Sequence, residues 1–158
     1  MKQDKFLTGI LIGIGLLILL ALGLFFTRQD KAEYMSDTTP EGVVHNYVLA
    51  VLNKDYEKAY GYLADLEYKP TYEEFRQSFF NGMVNPDNTG VDVGRAEINE
   101  DEASLPVTIF YSSSDPFSGG YQNIDQILLV QQDGSWKISY MQFNNYWNYN
   151  WYQKPFQP

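Results

Sequence analysis

Residues 124–143 read IDQILLVQQDGSWKISYMQF, and this stretch decides the fold. Asp133-Gly134 sits between two runs rich in Ile, Leu, Val, Trp and Tyr, and Asp-Gly in that setting demands a two-residue hairpin turn. Pairing across the turn sets Leu129 against Ile138 and Ile127 against Tyr140 on one face. The other face then carries Leu128, Val130, Met141 and Phe143, together with Lys137 and Ser139. Both faces are partly apolar, so both need a cover. Helices supply one, and a partner or the C-terminal segment supplies the other.

Upstream of the hairpin the pattern is again that of strands. Val91–Ile98 and Ala103–Tyr111 flank a tight Asn-Glu-Asp-Glu turn, and Ala103, Leu105, Val107, Ile109 and Tyr111 alternate onto one face. Pro106 within that run predicts a bulge or a position without a ladder donor. Residues 112–120 (SSSDPFSGG) read as a flexible loop with Phe117 near its tip. Before the strands the period changes to that of helices. Val44, Tyr47, Val48, Val51 and Leu52 recur at helical spacing behind Pro40, and Thr38 and Glu41 have capping-box spacing. Asp55 caps a short second helix burying Tyr56, Ala59, Tyr60 and Leu63. Thr71-Tyr-Glu-Glu74 opens a third, with Tyr72, Phe75, Phe79 and Met83 on one side. The fold class is α+β: three helices packed on a curved antiparallel sheet of about four strands, preceded by one transmembrane helix.

That last helix is Phe6–Phe26, 21 residues without an ionisable group. At the α-helical rise it spans about 31 Å, the thickness of a bilayer's hydrocarbon core. Lys2 and Lys5 on the short leading tail favour an N-inside orientation, which places the following domain on the extracytoplasmic side of the cell membrane, single-pass. A cleaved signal peptide is the competing reading, with Ala21-Leu22-Gly23 as its cleavage site. The apolar run continues through Leu24, Phe25 and Phe26, which favours an uncleaved anchor. Gly9 and Gly13 form a GxxxG pair, a helix-dimer pattern that is also common in membrane helices generally. The organisation is then a tail over 1–5, the membrane helix over 6–26, a polar stalk over 27–38, a folded domain over 39–143 and an aromatic, amide-rich tail over 144–158.

The 158 residues carry a net charge of −9. Beyond the apolar run, 9 basic residues face 19 acidic ones. Such a surface repels nucleic acid, which is excluded as a partner. With no cysteine and a single histidine, thiolate chemistry and a multi-histidine zinc site are excluded too, and no cofactor is implied. Asn99-Glu-Asp-Glu102 and the group Asp87, Asn88 and Asp92 lack the alternating ligands of a calcium loop and read as solvated turns, so no metal site is assigned.

Several stretches carry a family resemblance. Pro40-Glu-Gly-Val-Val-His-Asn-Tyr-Val48 running into Asp55-Tyr-Glu-Lys-Ala-Tyr-Gly-Tyr-Leu63, the Thr71–Phe75 helix opening, Ile98–Val107 and the Leu129–Ile138 hairpin with its DG-x-W-K-I close together resemble the nuclear transport factor two-like superfamily of cone-shaped α+β domains. The resemblance covers Thr39 to about Phe143, and its motifs are structural. Enzymes of that superfamily, such as steroid isomerases, polyketide cyclases and dehydratases, hold a carboxylate or a His–Asp pair inside the cone.

Here such a pocket would be lined by Tyr47, Tyr60, Phe75, Phe79, Ile127 and Tyr140, and its polar candidates are His45 and Asp125. No second acid or histidine can be placed beside either, so no catalytic residue is assigned. The C-terminal tail has Lys154 as its sole charge from Ser139 onward, among Tyr, Trp, Phe, Asn and Gln. A solvating tail is charged and poor in aromatics, so this one packs on something. The expected cover is the outer sheet face around Val130, Met141 and Phe143, with Trp147, Trp151 and Tyr152 as partner-surface candidates for another protein or a second copy. The leading reading is a non-enzymatic, membrane-anchored binding or scaffold domain. A small-molecule isomerase or cyclase, and a structural subunit of a cell-envelope assembly, are the alternatives.

Overall fold

The computed structural model describes residues 5–27, 32–112 and 119–154. Most of the expected 112–120 loop, Phe117 included, lies outside the described residues. The chain divides into two compact units, Met1–Glu33 and Tyr34–Pro158. The first holds α1 (Lys5–Thr27), a uniformly apolar helix long enough to cross a bilayer.

In the second unit, α2 (Pro40–Leu52) starts at Thr39, not Thr38. The Thr39 hydroxyl accepts from the Gly42 N–H at 3.1 Å, with Pro40 at the first helical position. Glu41 does not close a capping box. Its carboxylate accepts from the Ala96 N–H at 2.8 Å, tying the helix start to the sheet. Val43 to Val51 is buried on nearly every side except at His45, whereas Leu52 is exposed. α3 (Tyr56–Gly61) is capped by Asp55, and α4 (Tyr72–Phe80) by a complete Thr71–Glu74 capping box. The hydrogen bonds from Thr71 hold the Glu74 carboxyl below its ordinary pKa.

The sheet comprises β1 (Thr89–Val93), β2 (Glu97–Asn99), β3 (Glu102–Tyr111), β4 (Tyr121–Gln132) and β5 (Ser135–Met141). Its order is β1-β3-β4-β5, all antiparallel and curled, with the short β2 also paired to β3. β1 and β2 are one strand broken opposite Pro106, a residue without a ladder donor. Val93 pairs with Val107 and Glu97 with Ser104, which leaves three residues facing two. Gly94 bridges the break by donating its N–H to Pro106 O at 2.8 Å, and a Cβ there would sit 2.7 Å from that oxygen. Asp133 and Gly134 both adopt positive φ (51° and 74°), as a two-residue turn between right-twisted strands requires.

The register beyond that turn differs from the sequence expectation. Leu129 does pair with Ile138, but Leu128 pairs with Tyr140 and Ile127 with Met141, so Ser139 is an extra residue in β5. A one-residue bulge reverses the parity of everything after it. Tyr140 therefore points outward at 43% exposure, and Met141 is fully buried within the core. The β5 edge is closed by the chain after α3, where Ile138 N donates to Tyr62 O and Ala64 N to Ile138 O, each at 2.8 Å.

Candidate functional site

The space between the helices and the concave sheet face is filled by side chains, and the C-terminal segment supplies many of them. Phe143, Tyr146, Trp147 and Trp151 are all buried with Tyr47, Phe75, Ile127, Leu129 and Ile138. Their parity explains the destination. With Met141 turned inward by the Ser139 bulge, the chain leaves β5 on the concave side. Tyr47 donates its hydroxyl to Tyr146 O at 2.6 Å, and Tyr152 donates to Ala64 O at 2.6 Å. Trp147 stacks on Tyr152 with ring centres 5.6 Å apart and meets Trp151 edge-on at 5.1 Å. Trp151 in turn lies 4.9 Å from Phe75. Burial drives the Tyr47 and Tyr152 phenols well above their ordinary pKa, so both remain neutral donors. The expected placement of Trp147, Trp151 and Tyr152 on the outer sheet face is thus corrected: the two tryptophans are core residues and Tyr152 is half-buried against them.

The second unit also takes in the end of the segment whose polar composition reads as stalk. Asn46, 1% exposed, accepts from Met35 N at 2.7 Å, donates to Met35 O at 2.8 Å and donates to the Asp37 carboxylate. Tyr62 also donates to Asp37, and burial together with that carboxylate pushes its pKa up to about 12. Asn46 thus holds this strand of backbone as a neighbouring strand would.

The six pocket candidates separate. Tyr47, Phe75 and Ile127 are fully buried in the core; Tyr60 and Phe79 pack at its margin. Tyr140 stands on the opposite face of the sheet, for the reason given above. His45 is half-buried on α2, and Asp125 is half-buried on β4 opposite Val107, towards the far end of the β3–β4 hairpin. Among the described residues, no group of three or more His, Asp or Glu side chains is placed to hold a metal ion. The larger concavities lie on the surface of the domain. One of about 760 Å³ runs between α3 and α4 past the Tyr56–Phe79 ring stack, and another of about 610 Å³ lies between α4 and the C-terminal segment.

What the structure adds is the convex face of the sheet. The outward positions Ser104, Pro106, Thr108 and Phe110 on β3 face Leu128, Gln126, Ile124 and Gln122 on β4, and Tyr140 continues the row on β5. None of these is charged, in a chain with a net charge of −9; the charges of this face border the row, Glu102 and Lys137 beside Val130, Asp92 beside Thr108 and Glu97 beside Ser104. Ile124 is 69% exposed, and Phe110, Leu128 and Tyr140 each exceed 40%. At the outer end of the same hairpin Tyr121, also exposed, stacks on Tyr111 at 4.5 Å. The sequence already places Leu128 on this outer face, whereas Phe110 and Ile124 escape a reading that follows only the buried alternation. The signal was the complementary set of positions: four consecutive outward residues on each strand without a charge.

No protein-family model matches the sequence, and no curated protein does. Among solved structures the chain is similar to a SEC-C motif containing protein from Rhodopseudomonas palustris, with 9% identity and a TM-score of 0.49 over 68% of this chain and 80% of that one. It is similar to an uncharacterized cystatin fold protein from Novosphingobium aromaticivorans, at 9% identity and a TM-score of 0.45, over 66% of this chain and 97% of that one. A protein of unknown function from Mycobacterium tuberculosis aligns at 16% identity and a TM-score of 0.42, covering 63% and 64% of the two chains. Likenesses at this level transfer neither site nor activity. The class is defined by the strand order and register themselves: an α+β domain with helices leading into a curled antiparallel sheet.

Proposed function

We propose that this protein is a membrane-anchored binding or scaffold module of the nuclear transport factor two-like type, displayed outside the cell membrane, which docks a protein on the convex face of its sheet. The observation that carries the reading is the uncharged central row of that face, with Phe110, Ile124, Leu128 and Tyr140 exposed, bordered by Asp92, Glu97, Glu102 and Lys137 on a domain that is otherwise acidic. Exposed apolar surface of this kind is costly to leave wet and is typical of interaction sites. A concave side filled by Tyr47, Trp147 and Phe143 favours binding on the outside over catalysis in the cone. A second copy of the chain is the occupant that fits best. The uncharged row is where two acidic domains can meet with the least repulsion, and confinement to one membrane raises their effective concentration. Lys2 and Lys5, ahead of the apolar run, support the outward orientation.

Photo-crosslinking in native membranes tests this. A benzophenone side chain at Ile124 or Tyr140 should yield an adduct of dimer mass, and one at Glu57 on α3 should not. An adduct of another mass keeps the docking face and replaces the second copy. The absence of any adduct from both outer positions refutes the reading.

A further inference from the structure

The groove of about 610 Å³ between α4 and the C-terminal segment has a chemistry of its own. We propose that it is a binding site for a neutral oligosaccharide. The proposal is independent of the convex face, which lies on the other side of the sheet from the segment that builds this groove.

Three observations carry it. First, the groove is lined by side-chain amides, and its charges are largely engaged elsewhere. Gln77, Asn150 and Gln153 have no side-chain hydrogen bond among the described residues, and Asn81 uses only its oxygen, to accept from Met83 N. Of the charges, Glu74 is held in the Thr71 capping box, Lys69 donates to Leu63 O at 3.3 Å, and Lys154 stands exposed at the C-terminal wall of the groove. Each free amide offers a donor and an acceptor side by side, the complement of a sugar hydroxyl, which is also both.

Second, the floor is built and rigid. Asn148, 9% exposed, donates to Ser78 Oγ at 3.1 Å and accepts from Asn150 N at 2.9 Å, while Ser78 donates to Glu74 O at 2.9 Å. These bonds fix the C-terminal segment against α4, so the groove is preformed. Its volume lies in the range of small-ligand sites, roughly 300–1,000 Å³.

Third, Trp151 lines the groove at 6% exposure, and its indole N–H has no acceptor among the described residues. An unmet buried donor is unfavourable, and a phenylalanine would fill most of the same space against Phe75 without one. The nitrogen is shielded from solvent in this arrangement, so a hydroxyl in the groove accepts from it when the ring turns towards the groove on binding. Tyr68, 41% exposed on the groove wall, adds an aromatic surface for the apolar face of a sugar ring. Binding sites of this composition, aromatic surface with a few placed polar groups, take ligands that are apolar on one face and polar at the edge.

The test uses the full chain in amine-oxide micelles, which carry no sugar headgroup. Chitotetraose, cellotetraose and maltotetraose are titrated to about 10 mM by calorimetry and tryptophan fluorescence, with tetra-alanine as the peptide probe. At least one saccharide should saturate. Gln77→Ala, Asn150→Ala and Gln153→Ala, all exposed, should each leave the melting temperature unchanged, and the triple variant should weaken binding tenfold or more. Trp151→Phe should weaken it while remaining folded. If no saccharide saturates, if only the peptide binds, or if the triple variant binds as the parent does, the proposal is wrong; these outcomes do not depend on Trp151→Phe folding.

Discussion

Trp147→Ala probes whether the C-terminal segment is part of the core. Trp147 is 1% exposed and touches two other rings, Trp151 and Tyr152, in defined stacking and edge geometries. Truncating a fully buried tryptophan costs about 3–5 kcal/mol through lost transfer energy and the cavity left behind. Loss of the two ring contacts places Trp147 in the upper half of that range. A domain of this size holds roughly 5–15 kcal/mol in total, so the variant should lose a large share of its stability. At about 3–5 °C per kcal/mol, the melting temperature should fall by roughly 12–25 °C.

Tyr140→Ala is the matched control, since its side chain stands on the convex face and its loss should cost about 1 kcal/mol or less. The emission of the remaining tryptophans reports on this unit alone, because α1 contains no tryptophan. If Trp147→Ala melts within a few degrees of the parent, or Tyr140→Ala costs as much as Trp147→Ala, the placement of the tail and the register of β5 are both wrong.

Deleting Ser139 should be tolerated, costing about 1 kcal/mol, because it leaves Leu128 opposite Tyr140 and Ile127 opposite Met141 in a regular ladder. Deleting Lys137 instead moves Ile138 opposite Val130 on the outer face and Ser139 opposite Leu129 in the core, and should unfold the hairpin; equal melting temperatures for the two deletions would rule out the bulge. Stability should be level from neutral pH to about pH 10 and fall above it. Tyr47, Tyr62, Tyr146 and Tyr152 have raised pKa values in the folded state, chiefly through burial, so the unfolded chain releases their protons first. A pH titration of the melting temperature that stays flat to pH 12 contradicts this. Thr71→Ala removes the α4 cap and should cost about 1 kcal/mol by urea denaturation; an unchanged midpoint would show that Glu74 holds the helix end without it.

The parts of this fold that were legible in the sequence are those set by local chemistry. Asp133-Gly134 fixes its own turn, Thr71 and Glu74 cap each other across three residues, and the apolar run of α1 needs no tertiary context. Leu129 opposite Ile138 was legible too, because it lies close to the turn that defines it. The bulge at Ser139 was not. Its hydroxyl bonds the Leu128 carbonyl at 3.1 Å, a contact that no short-range pattern announces. Every position after it inherited the wrong face, Tyr140 as a pocket residue and the tail tryptophans as an outer cover. The tail's tendency to pack was readable from its rings and missing charges, but its destination depended on that one residue. The break at Gly94 was half readable: Pro106 signalled an interrupted ladder, but the residues bridging it follow from a close backbone approach.

Single-cysteine accessibility tests the central claim most directly, since the natural chain contains no cysteine and labels without background. Ile124→Cys, Leu128→Cys and Met141→Cys are treated with a membrane-impermeant maleimide, once in intact spheroplasts and once as purified full chain at dilution in micelles. The account predicts fast labelling of the two convex-face cysteines in micelles, slower but measurable labelling from outside the spheroplast where the face is docked, and little labelling at Met141→Cys in either. Equal rates at Ile124→Cys and Leu128→Cys in both settings would contradict a docked face, and labelling only after lysis would contradict display outside the membrane.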